Sequence, residues 1–258
     1  MDTLIIPQSL VPKLLPMAAC IDAMEKALRA LAQDDAVLPL RSMVWMPDRS
    51  GLLGLMPAYL GTPRSLGLKV ISYLPGNHGG DRDSHQGAVL LFDTSSGQLL
   101  AMIDASSITA IRTAAVSGLA TRLLARAGAG DLAILGSGVQ AATHLEAMSA
   151  VRKLRRVRVC SASLERAQAF ARRYQARCDV PIEAMAGVKE AVAGPTSSAR
   201  RRPRASRSCT ATGSPTAPTS TPSARASRAP ESWILAPSYA RACTWTDWNR
   251  PLPKPATF

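Results

Sequence analysis

The sequence predicts an α/β protein in which an α+β unit is followed by a partial βαβ unit and an irregular C-terminal tail. Short apolar runs, broken by turn residues, fill residues 42–104 and are typical of strands. A glycine-rich turn at Gly136 then separates an apolar run from a helical pattern, which is typical of a strand–turn–helix unit. At Gly194 the regular hydrophobic spacing stops.

Composition narrows the class of protein. The 258 residues suffice for one large or two modest domains, and no apolar run approaches the ~18 residues that a membrane span needs. The first residues, MDTLIIPQSLVPKLL, lack the basic start and cleavage site of an export signal, so we expect a cytoplasmic protein without a membrane partner. The five cysteines form no CxxC pair and no metal-ligand spacing with histidine, which predicts reduced thiols and no metal site.

The net charge of +13 is unevenly distributed along the chain. From Gly194 onward, nine Arg and Lys254 stand against Glu231 and Asp247, a net charge of +8, which leaves +5 for residues 1–193. The Arg-rich tail alone would suggest a nucleic-acid binder. The mild charge of the rest argues against a nucleic-acid partner.

The first half alternates helical and strand patterns. Residues 15–33 place apolar side chains at helical spacing, whereas SMVWMP, GLLGLMPAYL and LGLKVISYLP read as strands. AVLLFDTSSGQLLAMID reads as a hairpin with its turn at SSG. SSITAIRTAAVSGLATRLLAR returns to helical spacing, and either Asp104 or Ser106 could cap its N-terminus.

The next segment predicts a Rossmann unit. The apolar strand at residues 132–135 is followed by GSGVQA, a helix starting near Val139, a strand at residues 157–160 and the helical stretch LERAQAFARRY. In the pattern GxGxxA, Gly136 permits a tight turn, Gly138 lets backbone N–H groups approach a pyrophosphate, and Ala141 lets the helix pack closely. An ordinary βα glycine turn is the alternative. The predicted cofactor-binding residues of this turn are Gly136, Ser137, Gly138, Val139 and Gln140.

The end of the second strand bears on the choice of dinucleotide. It reads Cys160-Ser161-Ala162-Ser163, where an NAD-preferring site would offer Asp or Glu to the ribose. The arginines nearby in sequence are Arg155, Arg156, Arg158 and Arg166. We therefore predict that NADP(H) is favoured over NAD(H), with Ser161 at the cofactor, although these arginines could equally be solvated.

Three cations stand among apolar or small residues. Arg41 lies in LPLRSMVW, Lys69 in GLGLKVISY and Arg112 in SITAIRTAAV. A charge in such a setting needs a partner, which can be a structural carboxylate or an anionic ligand. The guanidinium fork suits a carboxylate, and a desolvated lysine can donate a proton or act as an electrostatic clamp.

Over residues 1–193 the sequence resembles the ornithine cyclodeaminase and mu-crystallin family. The resemblance is carried by GLKVISYLPGN, HQGAVLLFD, GQLLAMIDASSITAIRTAAVSGLAT and LAILGSGVQAATH. It implies a substrate and dimerisation domain (1–118), a Rossmann dinucleotide-binding domain truncated here to 119–193, an aberrant tail (194–258) and a homodimer. It also implies that Arg41 and Arg112 hold a substrate carboxylate, that Lys69 lies beside the reacting carbon, and that Thr113 joins the phosphate contacts.

The tail interrupts this resemblance at GPTSSARRRPRASRS, beginning at Gly194. Arg, Ala, Pro, Ser and Thr are common products of GC-rich DNA read in the wrong frame. Read in the shifted frame, Pro195–Ala224 permits DVICTATASREPVLHGDWLADGAHVNAVG, a continuation of family character. Because Trp has a single codon, Trp245-Thr246 must then give Asp and Trp248-Asn249 must give Glu, as the family-like reading VDRLESALAEAGDL requires. We therefore hypothesise a single-base deletion near Gly194 that impairs the protein.

The shifted frame also bears on the reaction. Cyclodeaminases of the family place an Asp just after AVG, where Arg225-Ala226 supplies only a codon ending in GC and cannot encode Asp. The resemblance thus implies an NAD(P)-dependent reductase of cyclic imine or ketimine carboxylates. The alternatives are an amino-acid cyclodeaminase that converts ornithine to proline and a non-catalytic small-molecule binder on the same fold. We expect the tail to impair that activity in this chain.

Overall fold

The computed structural model describes residues 2–77 and 84–193, together with the backbone of Ile234–Leu235. The tail that the sequence predicts to be irregular lies, apart from those two residues, outside the described part of the chain. Within the described part, no helix is long and apolar enough to cross a membrane.

The first unit is built on a seven-stranded sheet. Its strands are β1 (Leu4–Ile6), β2 (Ala36–Val37), β3 (Ser42–Trp45), β4 (Leu52–Leu60), β5 (Ser65–Tyr73), β6 (His85–Phe92) and β7 (Leu99–Asp104). They lie in the order β1-β7-β6-β5-β4-β2, and β3 also pairs with β4. The pair β6–β7 is the hairpin that the sequence predicts, and Asp93 accepts hydrogen bonds from Ser95 and Ser96 in its turn.

Three helices accompany this sheet: α1 (Val11–Leu14), α2 (Met17–Ala32) and α3 (Ala105–Leu124). The Asp104 carboxylate accepts a 2.8 Å hydrogen bond from the Ser107 amide and so caps α3, as predicted. The apolar stripe of α2 buries Cys20 and Ile21 against Ala114 and other small or apolar residues of α3. The helices thus form a core on one side of the sheet.

The second unit is a parallel sheet with the Rossmann arrangement. It contains β8 (Asp131–Leu135), α4 (Val139–Val151), β9 (Arg156–Cys160), α5 (Leu164–Tyr174), β10 (Ile182–Met185) and α6 (Val188–Ala191). The strand order is β10-β9-β8-β11, where β11 is Ile234–Leu235 and pairs with Leu132 and Ala133. The position beside β8 is therefore taken by a two-residue strand. The shifted reading places the next family strand earlier, after Pro195.

Helix α3 packs against both units. At Gly118 an added Cβ would lie 3.1 Å from the Cδ1 of Ile21 and 3.4 Å from the Cβ of Ala147 in α4, so small residues let the three helices approach closely. Ala147 is fully buried in the core that α2 and α3 share. Residue 118, the predicted end of the first domain, lies inside this helix.

Candidate active site

Lys69 lies in the middle of β5, on the sheet face that α3 covers. Its Nζ donates a 2.5 Å hydrogen bond to the Thr109 hydroxyl, which in turn donates a 2.6 Å bond to the carbonyl of Ala105. The side chain is half-buried. The ammonium group is therefore held between the sheet and the first turns of α3.

The electrostatics of Lys69 show that the three predicted cations lie together. Burial, and after it the nearby charges of Arg112 and then Arg41, together lower the pKa of Lys69 from its ordinary value of 10.5 to about 8. Arg112 also acts on the buried thiol of Cys20, whose pKa burial raises and Arg112 lowers. The site is thus a concentration of positive charge, which suits an anionic ligand.

The two arginines are not buried, although their apolar neighbours in sequence predict a buried setting. Both Arg41 and Arg112 are exposed residues with interaction partners, and only Lys69 is half-buried. On α3 the apolar neighbours Ile111 and Ala115 of Arg112 are buried in the core, because the 3.6-residue turn of a helix separates them from the arginine. Arg41 directly precedes β3, and its apolar neighbour Leu40 is itself exposed.

The glycine turn has the geometry that a phosphate requires. Gly136 has φ +117°, which a residue with a side chain rarely adopts, and its amide donates a 2.7 Å bond to the Cys160 carbonyl. Gly138 is the N-cap of α4 and provides no side-chain cap, and a Cβ placed there would meet no atom of the described residues within 4 Å. The exposed helix N-terminus is therefore open to an anion.

Ser161 closes the other side of this turn. Its hydroxyl lies 2.7 Å from that of Ser137, and the strand ends Leu135 and Cys160 are paired in register. The structure therefore brings Ser161 beside the glycine turn, at the carboxyl end of the parallel strands where Rossmann proteins bind ligands.

Three of the four arginines that supported a 2′-phosphate site are engaged elsewhere. Arg155 and Arg156 pair with Asp131 at the opposite end of the strands, at 3.2 and 3.6 Å. Arg158 donates to the carbonyls of Glu190 and Ala193 and lies 3.6 Å from the Glu183 carboxylate. Arg156 precedes the strand end by four positions, which is about 13 Å, and Arg155 precedes it by one more. Arg158 lies closer to the strand end, but its side chain is directed to α6 and β10.

Arg166 alone of the four lies near the strand end. It belongs to the first turn of α5, where its amide donates to the cap residue Ser163. Glu165 lies in the same turn.

A chain of polar contacts that sequence reasoning missed joins the two halves of the site. On α3, the Thr113 hydroxyl donates a 2.7 Å bond to the Thr109 carbonyl. One turn further, Ser117 lies 3.1 Å from the Nε2 of His144, whose Nδ1 lies 2.7 Å from the Gln140 carbonyl. Thr109, Thr113 and Ser117 recur every four residues, a polar row that could have indicated the line of contacts.

Comparison with known proteins agrees with this geometry. The chain matches the ornithine cyclodeaminase/mu-crystallin family over residues 1–196. It is 40% identical to the ketimine reductase mu-crystallin of Mus musculus over 156 residues, which are 60% of this chain and 49% of that protein. It is 33% identical to a Δ1-pyrroline-2-carboxylate reductase of Bacillus cereus, over 70% of this chain and 55% of the relative. The chain thus spans about half the length of these curated relatives.

Solved structures show the same fold. The Δ1-pyrroline-2-carboxylate reductase of Thermococcus litoralis, solved with NADH and L-proline, superposes with a TM-score of 0.70 at 33% identity, over 73% of this chain and 58% of that one. An archaeal alanine dehydrogenase dimer with bound NAD gives a TM-score of 0.67 at 29% identity, over 74% and 58% of the two chains. Sequence, fold and site geometry agree: the chain belongs to the ornithine cyclodeaminase/mu-crystallin family.

Proposed function

We propose that this protein derives from an NAD(P)H-dependent reductase that converts a cyclic imine or ketimine carboxylate into an amino acid. The observation that carries the proposal is the grouping of Arg41, Lys69 and Arg112 on the sheet face beside α3. Three cations in one place suit a small carboxylate substrate, and relatives named for ketimine and pyrroline-2-carboxylate reduction support that class.

In this proposal the cations have separate roles. Arg41 and Arg112 bind the substrate carboxylate, because a guanidinium matches a carboxylate with two parallel hydrogen bonds. Lys69, held by Thr109, lies beside the imine and can supply a proton to the nitrogen, since a pKa of about 8 lets it both hold and release one near neutral pH.

The residues of the second unit fit a dinucleotide. The positive φ of Gly136, the open space at Gly138 and the uncapped start of α4 accommodate a pyrophosphate, with Gln140, Val139 and Thr113 beside it. A bound nicotinamide dinucleotide would supply the hydride for the reduction. The chain's own contribution is to orient the two ligands against each other.

The test is a kinetic assay of Δ1-pyrroline-2-carboxylate reduction, in which the loss of absorbance of the reduced nicotinamide is measured. We expect Arg112→Met to raise KM at least about tenfold and Lys69→Met to lower kcat, whereas exposed Arg126→Met should change neither. Saturable binding of NADPH and substrate without turnover would favour a non-catalytic binder. Turnover of ornithine to proline would favour a cyclodeaminase.

We further propose that NADP(H) is favoured over NAD(H). The support is Ser161 at the turn, the absence of an acidic residue among Cys160-Ser161-Ala162-Ser163, and Arg166 in the first turn of α5. Arg166→Ala should weaken NADPH binding several-fold and leave NADH binding unchanged, and the neighbouring variant Glu165→Gln should not weaken NADPH. Equal effects of Arg166→Ala on both dinucleotides would count against this preference.

We propose a homodimer formed through the sheet face opposite Lys69. The face exposes apolar side chains from four strands: Ile5, Leu53, Leu66, Leu100 and Met102. Met102, Leu90 and Leu68 are paired in register across it, and no Lys, Arg, Asp or Glu belongs to the five exposed positions. A second copy supplies a matching apolar face, and a relative of known structure is a dimer.

We also propose that the residues after Ala193 come from a shifted reading frame and impair activity. The support is the abrupt end of the family match near residue 196 and the two codon constraints at Trp245 and Trp248. Resequencing the coding DNA from the codon of Ala193 to that of Pro195 tests the frame. A chain rebuilt with the shifted-frame tail should show higher reductase activity than the present chain, and equal activity would argue against impairment.

A further inference from the structure

We propose that His144 is a positioning residue that ties the glycine turn of the second unit to α3 and so fixes the dinucleotide phosphates between Gln140 and Thr113. The inference rests on the proposed dinucleotide binding. The evidence for the inference is a pair of hydrogen bonds made by the His144 ring. One joins Ser117 on α3, and the other joins Gln140 on α4, the helix that carries His144.

The hydrogen-bond partners define the state of the ring. The Gln140 carbonyl can only accept, so the Nδ1 of His144 carries the proton and donates across 2.7 Å. The Nε2 of the neutral ring is then an acceptor for the Ser117 hydroxyl at 3.1 Å, a shorter path than the 3.4 Å to the Thr113 carbonyl. Burial lowers the pKa of His144 and favours this neutral form.

The bond to Ser117 crosses the junction between the units, whereas the bond to Gln140 lies within α4. Gln140 belongs to the first turn of α4, directly after the glycine turn, and Ser117 lies one turn beyond Thr113 on α3. Directly after Ser117, Gly118 packs against Ala147, which lies about one turn beyond His144 on α4, without polar groups. The His144 ring is thus the polar link between α3 and the end of α4 that faces the glycine turn.

This placement matters because the proposed phosphate contacts come from two units. Gly138 and Gln140 belong to the Rossmann unit, whereas Thr113 belongs to a helix that starts at the first sheet. Loss of the link would let the start of α4 move relative to Thr113, and a shift of a fraction of an ångström weakens hydrogen bonds to a phosphate.

The chain offers a set of matched variants. His144→Leu removes both bonds, Ser117→Ala removes the bond to α3, and His144→Gln keeps an acceptor within reach of Ser117. Thr143→Val is the control, because the Thr143 hydroxyl also bonds the Gln140 carbonyl, at 3.2 Å, but only within its own helix.

The experiment measures the Kd for NADPH and the amide hydrogen exchange of residues 136–143 in the full-length chain. We expect His144→Leu and Ser117→Ala each to raise Kd about five- to tenfold, the double variant to add little, and His144→Gln to restore affinity to within about twofold. Amide exchange should rise in His144→Leu, in Ser117→Ala and in the double variant, but not in Thr143→Val or His144→Gln. The thermal midpoints of Thr143→Val and His144→Gln should stay unchanged.

The outcomes separate the two proposals. Unchanged NADPH affinity and unchanged exchange in His144→Leu would overturn the positioning role while leaving dinucleotide binding intact. Additive losses in the double variant, or an equal loss in Thr143→Val, would also overturn it. If the unsubstituted chain binds no NADPH, dinucleotide binding by this chain fails, and the exchange data alone then decide whether His144 ties the turn to α3.

Discussion

At the scale of single residues, the site contains Lys69, whose positive charge lowers the free energy of unfolding. Lys69 ionises less readily in the folded chain because it is half-buried beside Arg112 and Arg41. Between pH 8 and 10.5 the unfolded chain holds a proton that the folded chain has released, so the contribution of Lys69 to the free energy of unfolding increases with pH across that window.

We therefore expect Lys69→Met to stabilise the protein at pH 7 by about 1 to 2 kcal/mol, after allowance for partial exposure, and to lower the kcat of the proposed reduction. The stability gain should shrink as pH approaches 10. Urea unfolding at pH 7, 8.5 and 10 measures it, with the exposed Lys26→Met as control. A gain that stays constant with pH would show that lost packing or propensity, rather than charge, accounts for it.

At this scale the site roles of the three cations stay predictions, whereas the structure separates Arg155 and Arg156 from the strand end to which the sequence brings them close. Arg41, Lys69 and Arg112 come from distant segments, and their grouping follows from the fold that the family resemblance implies. Arg155 and Arg156 are close to Ser161 in sequence but pair with Asp131 at the other end of the strand. Distance along the chain does not show which end of a strand a side chain occupies.

At the scale of elements, one glycine sets the approach of β5 and β6. A Cβ at Gly87 would contact the Val70 carbonyl oxygen and lie 2.9 Å from the Cα of Ile71, and φ there is +156°. Both atoms belong to the backbone of the strand that carries Lys69, so the strand itself would have to move.

Gly87→Ala should accordingly destabilise the protein by about 2 to 4 kcal/mol or prevent soluble expression. Gly128→Ala is the matched control, since in the described part of the chain nothing lies within 4 Å of a Cβ at Gly128. Soluble yield and the urea midpoint measure the difference. Equal behaviour of the two variants would show that β5 and β6 separate at little cost.

The end of α3 offers a second test at this scale. The Arg152 guanidinium donates to the carbonyls of Thr121, Arg122 and Ala125, at 2.7, 3.2 and 2.9 Å, and so satisfies the last turn of the helix. Arg152→Lys cannot reach all three carbonyls and should lower the free energy of unfolding by about 1 to 3 kcal/mol. Denaturant unfolding against Arg126→Lys checks this, and matched midpoints would contradict it.

Elements with long periodic patterns were predictable, whereas the short strands β1 and β10 were not. The sequence indicates α2, α3 and the β6–β7 hairpin because each repeats its apolar spacing over several turns or residue pairs. The three-residue β1 and the four-residue β10 carry too little pattern, and their pairing with β7 and β9 creates them. Thr109, Ser117 and His144 escaped prediction because their bonds cross between elements.

At the scale of the whole molecule, the sheet face opposite Lys69 predicts association, because its described residues expose apolar side chains. Met102→Glu places a charge in the centre of the proposed dimer face, where burial without a partner is costly. We expect a shift to monomer in size-exclusion chromatography with light scattering, at a protein concentration where the unsubstituted chain is dimeric. Leu123→Glu, an exposed position of α3 outside that face, should leave the mass unchanged. A dimeric Met102→Glu would place the interface elsewhere.

Helix α3 has a consequence for how this protein can vary. It carries Thr109 against the lysine, Arg112 among the cations, Thr113 at the proposed phosphate site and Ser117 against His144. Because each residue of a helix turns by about 100°, inserting or deleting one residue within this helix would rotate every later contact out of line at once. Single substitutions in α3 can be tolerated one at a time, but a change in its length cannot. The length of α3 therefore fixes the relative position and orientation of the contacts that it makes with the two units.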